Sequence, residues 1–332
     1  MQEDFHFYCI GVLARAAGFS PKDAITIAYA SEYVDGATEG EPIKVGRLIF
    51  DPVRTAHNGL KAWNWGIQKK VYFPFHFIPP KPVQDEDDTY TTTQYSEFAL
   101  DVFKAAADEA EPDLRLYRMG IALHTLADTW AHEGFSGIEE NVNDVKGLRV
   151  EKKGKWKRVF LKRFVFELLP HIGHGQAGKY PDISHLNWKY KRGADGVVFT
   201  HQNSGRFMMA AEKIYNLLLG AAPNGQQPEA SWGEIEPRIR ELIHMDADLG
   251  EKCAGWKAAF NYWFRDEADY NYDEKAWRRD ALGSDDVDWD KDKPAKFRKR
   301  KYEMQPGFAT KPWVMFHRAA EKQRHYVMEQ ML

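Results

Sequence analysis

The stretch HTLADTWAH, residues 124–132, decides how this chain folds, because it places His124, Asp128 and His132 at intervals of four residues. Residues spaced in this way lie on one face of an α-helix, with Cβ atoms roughly 5–6 Å apart. The rest of the stretch is apolar or small, as in a helix of a protein core. Buried polar groups without partners are costly, and a bound metal ion would satisfy all three. The alternative is a row of core hydrogen bonds or a partly exposed polar stripe.

The composition is that of a folded protein. Hydrophobic residues make up 43% and aromatic residues 14% of the 332 residues, which is enough for a substantial core. We expect a single helical domain, 1–332, with decorations. The two cysteines, Cys9 and Cys253, are too few for a disulfide framework or a zinc ribbon. Any metal would therefore be held by histidines and carboxylates.

The charge and the N-terminus argue against several classes of protein. The net charge of -3 nominates neither nucleic acid nor a membrane as a partner of the whole molecule. The opening MQEDFHFYCIGVLARAAGF has acidic residues where a signal peptide has basic ones, and Arg15 interrupts its apolar run. No segment has the ~18 continuous apolar residues of a membrane span. We expect a cytoplasmic protein without a transmembrane segment.

Hydrophobic residues at helical spacing predict an all-α fold, a multi-helix bundle with long irregular insertions. The first helix is expected at 4–18. Ser20 is placed to cap the second helix, which has Pro21 in its first position and stops near Asp35 and Gly36. Further helices are predicted at 95–110, 112–133, 199–220, 231–264 and 312–330.

Other parts of the chain are predicted to be irregular. Residues 37–95 contain scattered Gly and Pro and the acidic run DEDD, and a stretch this long in a compact domain is usually functional or covers a site. Gly and Pro also predict a loop at 171–188. Residues 280–311 are highly charged and are expected to form an exposed arm. The basic segment 149–163 is compatible with a hairpin or with the start of a helix.

Imidazole and carboxylate groups recur at the ends of these elements. Imidazole nitrogen and carboxylate oxygen converging on one point suit zinc, iron or manganese rather than calcium. Taken singly, each of His6, His57, His76 and His174 is more often a structural histidine than a ligand, and it is their combination with the helical row that favours a metal site. The candidates are His6, Asp35, His57, His76, His124, Asp128, His132, His171, His174 and Asp182.

The order of these residues resembles that of the zinc-dependent phospholipase C and single-strand nuclease superfamily. The shared order is an N-terminal His, an Asp after the second helix, a His in the following irregular segment, a helical His-x-x-x-Asp and a later His. DFHFYCIGVLARAAGF, SEYVDG and HTLADTWAHEGFSG also resemble a bacterial family of unknown function over most of residues 1–190. The superfamily consists of all-helical hydrolases that cleave phosphodiesters with a three-zinc cluster. The resemblance thus implies two or three zinc ions, with iron or manganese as alternatives.

The resemblance also implies which residues bind the first two ions. Asp35, His57, His124 and Asp128 would bind one zinc, and Asp128 would bridge to a second zinc that His6 also binds. Asp35 and Asp128 would be the catalytic carboxylates, and Asp35 would also orient the attacking water.

The third ion has a less complete match. His132 resembles its first ligand, whereas we assign no match to the His and the acid four residues later that the superfamily supplies. His174 with Asp182 is the best substitute, and His171 is the next choice. The superfamily also binds zinc through the amine and carbonyl of an N-terminal Trp, for which this chain offers Asp4 or nothing.

Together these features predict a metal-dependent hydrolase of phosphodiester bonds in phospholipid or nucleic acid. The basic runs at 149–163 and 291–301 could attract nucleic acid or anionic lipid, although charged surface loops that keep the protein in solution are the more common explanation of such runs. One alternative is a dinuclear iron oxygenase with a helical His/Asp site, which the absence of an adjacent His-Asp pair disfavours. The other is a metal-stabilised helical interaction protein without catalysis.

Overall fold

The computed structural model describes residues 1–38, 40–56, 66, 68–82, 90–159, 171–223, 226–265, 270–284 and 302–331. Of this structure, 56% is helical and 11% is strand, and the strands form two antiparallel sheets. The prediction of an all-α fold is therefore wrong, and the fold is mixed α/β.

The described helices follow the predicted order along the chain. A π-helical segment, Asp4–Cys9, runs directly into the first α-helix. The α-helices are α1 (Ile10–Ala16), α2 (Pro21–Gly36), α3 (Glu97–Ala107), α4 (Pro112–Ala131), α5 (Asn203–Ala221), α6 (Trp232–His244), α7 (Leu249–Phe264), α8 (Ala276–Leu282) and α9 (Pro312–Gln330).

Local chemistry explains where several helices begin and end. The Ser20 hydroxyl accepts a hydrogen bond from the Asp23 amide at 3.2 Å, with Pro21 in the first position of α2, as a capped N-terminus requires. The predicted helix at 231–264 is instead two helices, α6 and α7. Asp248 caps the second of them by accepting from the Glu251 amide, so the chain ends one helix and starts another.

Helices α2 and α4 cross at very short distance, and this crossing positions the candidate site. A Cβ placed on Gly120 of α4 would lie 2.4 Å from the Ile27 carbonyl oxygen and 2.7 Å from the Ala30 Cβ, both in α2. Only glycine permits that approach. It brings the C-terminal half of α2, which carries Ser31 and Asp35, against the polar row of α4.

The strands form a two-stranded and a four-stranded sheet. The six strands are β1 (Ile43–Val45), β2 (Leu48–Phe50), β3 (Val145–Lys152), β4 (Lys155–Arg158), β5 (Asn187–Arg192) and β6 (Val198–Gln202). Strands β1 and β2 pair with each other, and the larger sheet has the order β4-β3-β5-β6 with all neighbours antiparallel. Its inner face buries Trp188 and Tyr190 against Phe77 and Phe135.

The larger sheet accounts for the error in fold class. Residues 149–158 of the basic segment take the hairpin alternative, with Lys153 and Gly154 at positive φ in the turn, and 160–163 lie outside the described residues. The predicted loop at 171–188 contains short 3₁₀ turns and enters β5. The predicted helix at 199–220 begins only at Asn203, because the preceding residues form β6.

The other predicted insertions are only partly described. Within 37–95 the structure has β1, β2, a π-helical turn at Gln68–Tyr72 and a short helix at Phe73–Phe75. Of the predicted arm at 280–311, residues 285–301 lie outside the described part of the chain, whereas Tyr302 forms a β-bridge with Val45. Among the described residues, no helix is both long and apolar enough to cross a membrane.

Candidate metal centre

The polar row of α4 lies in the interior, where histidines from other segments meet it. His124, Asp128 and His132 are each at most 3% exposed. His76, in the turn after Phe73–Phe75, brings its Nδ1 to 3.2 Å from both the Asp128 Oδ2 and the His124 Nε2. The His124 Nε2 also lies 3.2 Å from the Asp128 Oδ2. Three donor atoms thus form a nearly equilateral triangle.

The other ring nitrogens show how these two imidazoles are oriented. His124 Nδ1 donates to the Ser31 carbonyl at 2.8 Å, and His76 Nε2 donates to the Thr55 carbonyl at 2.8 Å. A carbonyl oxygen can only accept, so in the neutral imidazoles the two facing nitrogens carry lone pairs. Lone pairs 3.2 Å apart beside a carboxylate repel each other unless a cation lies among them. Histidine ligands of metals are fixed by such hydrogen bonds.

Asp35 completes this group as a fourth donor. Its Oδ1 lies 3.7 Å from the His124 Nε2 and 3.8 Å from the His76 Nδ1. Ligands held tetrahedrally around zinc at about 2.05 Å are separated from one another by about 3.3 Å. The observed separations of 3.2–3.8 Å fit such an ion with little rearrangement. We call these four residues the Asp35 group.

The second oxygen of Asp128 faces a different set of atoms. The Met1 α-amino group donates to Oδ1 at 2.6 Å, and the His6 Nε2 lies 3.2 Å from the same oxygen. The ring of His6 stacks on that of His124, with centroids 3.8 Å apart. Asp128 therefore joins the Asp35 group to a neighbouring position at which His6, His124 and Asp128 could also hold an ion.

A further group of donors lies at the C-terminal end of α4. His132 Nε2 is 3.2 Å from the Asp182 Oδ1, and His174 Nε2 is 3.5 Å from the Asp182 Oδ2. Their Nδ1 atoms donate to the carbonyls of His76 and Gly178, so the Nε2 atoms are again the available donors. We call His132, His174 and Asp182 the His132 group.

Asp128, at the middle of the centre, is strongly biased towards the charged form. Burial would raise the pKa of Asp128, but the charges of His132, the Met1 amine and His124 outweigh burial and hold it well below its ordinary value. Burial would likewise lower the pKa of the Met1 amine, whereas Asp128, Asp182 and Asp35 raise it to about 11.

His76 responds to the same field in the metal-free chain. Burial would lower its pKa, but the hydrogen bond to Asp128 and the charge of Asp35 raise it above its ordinary value. The carboxylates that attract this proton would also attract a metal ion, so the two compete for the same nitrogen.

The structure brings together the predicted ligands His6, Asp35, His124, Asp128, His132, His174 and Asp182. His57 lies outside the described residues. His171 is elsewhere, hydrogen-bonded to Asp144. Asp4, proposed for the role of the superfamily's N-terminal residue, lies 3.6 Å from the Lys252 Nζ, and it is the Met1 amine that meets Asp128.

His76 is the member of the centre that the sequence analysis named as a candidate but assigned to no ion. It lies in VYFPFHFIPP, where it is the lone polar side chain among aromatic and aliphatic residues after Tyr72. A single imidazole in an apolar run needs a buried partner, and that was the available signal.

A cleft of about 500 Å³ opens beside the donors. Asp35, Asp128, His132 and Asp182 line one side of it, and the side chain of Asp35 is 42% exposed. Its lining also includes Ala56, Tyr72, Phe77 and Ile172, and the ring of Phe77 stacks on that of His132 with centroids 4.6 Å apart. A small molecule can therefore reach the edge of both donor groups.

Comparison with known proteins gives one match. The family of unknown function DUF6765 matches residues 1–331. The chain belongs to this family. No curated protein and no solved structure matches this DUF6765 protein significantly, and the resemblance to the zinc-dependent phospholipase C superfamily stays a prediction.

Proposed function

We propose that this DUF6765 protein is a metal-dependent hydrolase that cleaves a phosphodiester of a lipid or a nucleic acid. The observation that carries the proposal is the triangle of His76 Nδ1, His124 Nε2 and Asp128 Oδ2, with sides of 3.2 Å, beside an open cleft. Zinc suits this donor set, and iron and manganese are the alternatives. An open cleft favours catalysis over the closed coordination of a purely structural site.

The donor groups would have different tasks in such a reaction. Asp128 is buried with both oxygens engaged, so it would hold the centre together rather than meet the substrate. Asp35 is half-exposed at the cleft and would accept a hydrogen bond from the attacking water and orient it. The His132 group would hold a further ion next to the Asp35 group.

Divalent cations bound in this way would lower the pKa of a water molecule and offset charge on the phosphoryl oxygens. No Lys or Arg side chain is among the described residues that line the cleft, and the Met1 amine there is paired with Asp128, so most of the positive charge needed to recognise a phosphate would come from the cations. The apolar residues of the lining, Ala56, Phe77 and Ile172, would contact the uncharged part of the diester.

The test uses the full chain loaded in turn with zinc, manganese or iron, and bis-p-nitrophenyl phosphate as substrate. We expect hydrolysis that Asp128→Asn abolishes and that Asp113→Asn leaves unchanged. Asp113 lies in the exposed first turn of the same helix and serves as the matched control. Circular dichroism establishes that Asp128→Asn is folded. Equal activity of Asp128→Asn and wild type would reject the proposal, and stoichiometric iron without hydrolysis would favour the oxygenase alternative.

A further inference from the structure

The outer face of the four-stranded sheet carries a concentration of positive charge. Strand pairing places Arg158, Arg149 and Lys189 side by side on three adjacent strands. Lys146 and Lys191 form a second cross-strand pair on the same face. Like charges directly opposite each other destabilise a sheet, so the fold gains nothing from this arrangement.

Little negative charge balances these residues within the sheet. Glu151 is the acidic residue on the described outer face, and it accepts a hydrogen bond from Asn187 at 2.9 Å. Five basic side chains and one acidic side chain leave the face at about +4, on a chain whose net charge is -3. The opposite face of the sheet is packed into the core, so the positive face is the one turned outward.

Exposed apolar side chains lie at one end of the sheet. Val198 pairs across the strands with Lys191 and is 63% exposed, and the preceding Val197 is 47% exposed. Exposed aliphatic residues among lysines suit the boundary between lipid headgroups and acyl chains. A phosphate backbone offers nothing for two valines to contact.

Trp156 also lies on this face, opposite Glu151. The Lys189 ammonium lies over the indole ring, 4.2 Å from its centroid. One side of the ring is covered in this way, and a tryptophan among lysines suits the headgroup layer of a membrane.

We propose that the outer face of the β4-β3-β5-β6 sheet docks on the headgroup layer of an anionic lipid bilayer. Its lysines and arginines would contact the anionic headgroups, and Val197 and Val198 would enter the layer at the end of the sheet. Docking does not depend on hydrolysis at the metal centre, so the two proposals fail separately.

The test is sedimentation of the full chain with vesicles at physiological ionic strength. One set of vesicles is phosphatidylcholine and the other contains about one third phosphatidylserine. We expect binding to the anionic vesicles, with Lys146→Gln/Lys191→Gln roughly 30-fold weaker, since each basic residue near an anionic surface contributes roughly fivefold. This variant should be at least as stable as wild type, because it removes a like-charge pair.

Two further variants sharpen the result. Val197→Ser/Val198→Ser should also weaken vesicle binding. Arg238→Gln/Arg240→Gln removes two exposed positive charges from α6 and should bind as wild type does. Asp128→Asn should bind vesicles normally whatever its effect on hydrolysis.

Three outcomes would overturn membrane docking. The first is no sedimentation with the anionic vesicles. The second is equal binding by Lys146→Gln/Lys191→Gln and wild type. The third is unchanged binding by Val197→Ser/Val198→Ser together with lysine-dependent binding of a single-stranded oligonucleotide, which would assign the face to nucleic acid.

Discussion

Adding one methyl group at Gly120 should disturb the metal centre without touching any ligand. A Cβ at this position would lie 2.4 Å from the Ile27 carbonyl oxygen, whereas ordinary contacts begin at 3.4 Å. In Gly120→Ala, α4 and α2 would have to separate by about 1 Å to relieve this contact. The hydrogen bond from His124 Nδ1 to the Ser31 carbonyl would lengthen from 2.8 Å to about 3.8 Å, beyond the range of a hydrogen bond.

Two quantities follow from this displacement. Overpacking costs about 1–3 kcal/mol, and replacing a helical glycine by alanine returns about 1 kcal/mol. We expect the free energy of unfolding of Gly120→Ala to fall by up to about 2 kcal/mol. Loss of the bond that orients His124 should lower metal affinity about 10- to 100-fold.

Urea unfolding and competition with a chromophoric zinc chelator measure these quantities. Gly220→Ala is the matched control, because Gly220 also lies in a helix and a Cβ there would meet no atom within 4 Å. The control should bind metal as wild type does and be unchanged or slightly more stable. Wild-type stability and zinc affinity in Gly120→Ala would refute the view that this helix crossing orients His124.

Three other predictions test the centre and the core. Protein in metal at a thousandfold excess over the dissociation constant should be stabilised by bound metal. Removing that metal with a chelator should lower the free energy of unfolding by about 4 kcal/mol. An unchanged urea midpoint would contradict this prediction. Elemental analysis should show that His174→Ala has lost one equivalent of metal. His171→Ala, which lies outside the His132 group, should retain the full metal content. Equal metal content in the two variants would remove His174 from the centre. Burial lowers the pKa of His317 to about 3, so this imidazole is neutral in the folded chain and protonated in the unfolded chain below its ordinary value of 6.5. Its contribution to stability is therefore lost as pH falls below that value, by about 2 kcal/mol between about pH 7 and about pH 5. In His317→Asn, with chelator present, this part of the loss should disappear, and parallel stability curves for the two proteins would contradict the assignment.

Periodic patterns within one segment were the part of this protein that could be predicted. Residues four apart on a helix share a face whatever surrounds it, so the row of His124, Asp128 and His132 follows from spacing alone. The start of α2 at Ser20 follows likewise from a serine followed by proline. The strands β5 and β6 also had a local signal, the alternation of Trp188 with Tyr190 and of Phe199 with His201. The Gly-rich loop before them and the apolar helix after them obscured it.

The sequence by itself thus determined which residues stand in the helical row and that acids and imidazoles abound near it. Only the tertiary structure decided their partners, because contacts between distant segments depend on how closely the elements approach. His76 reaches Asp128 across 52 residues of chain. Ser31 reaches His124 only because Gly120 lets α2 and α4 touch. Gly120 has no side chain, and the close helix crossing that this permits orients His124 for binding a cation.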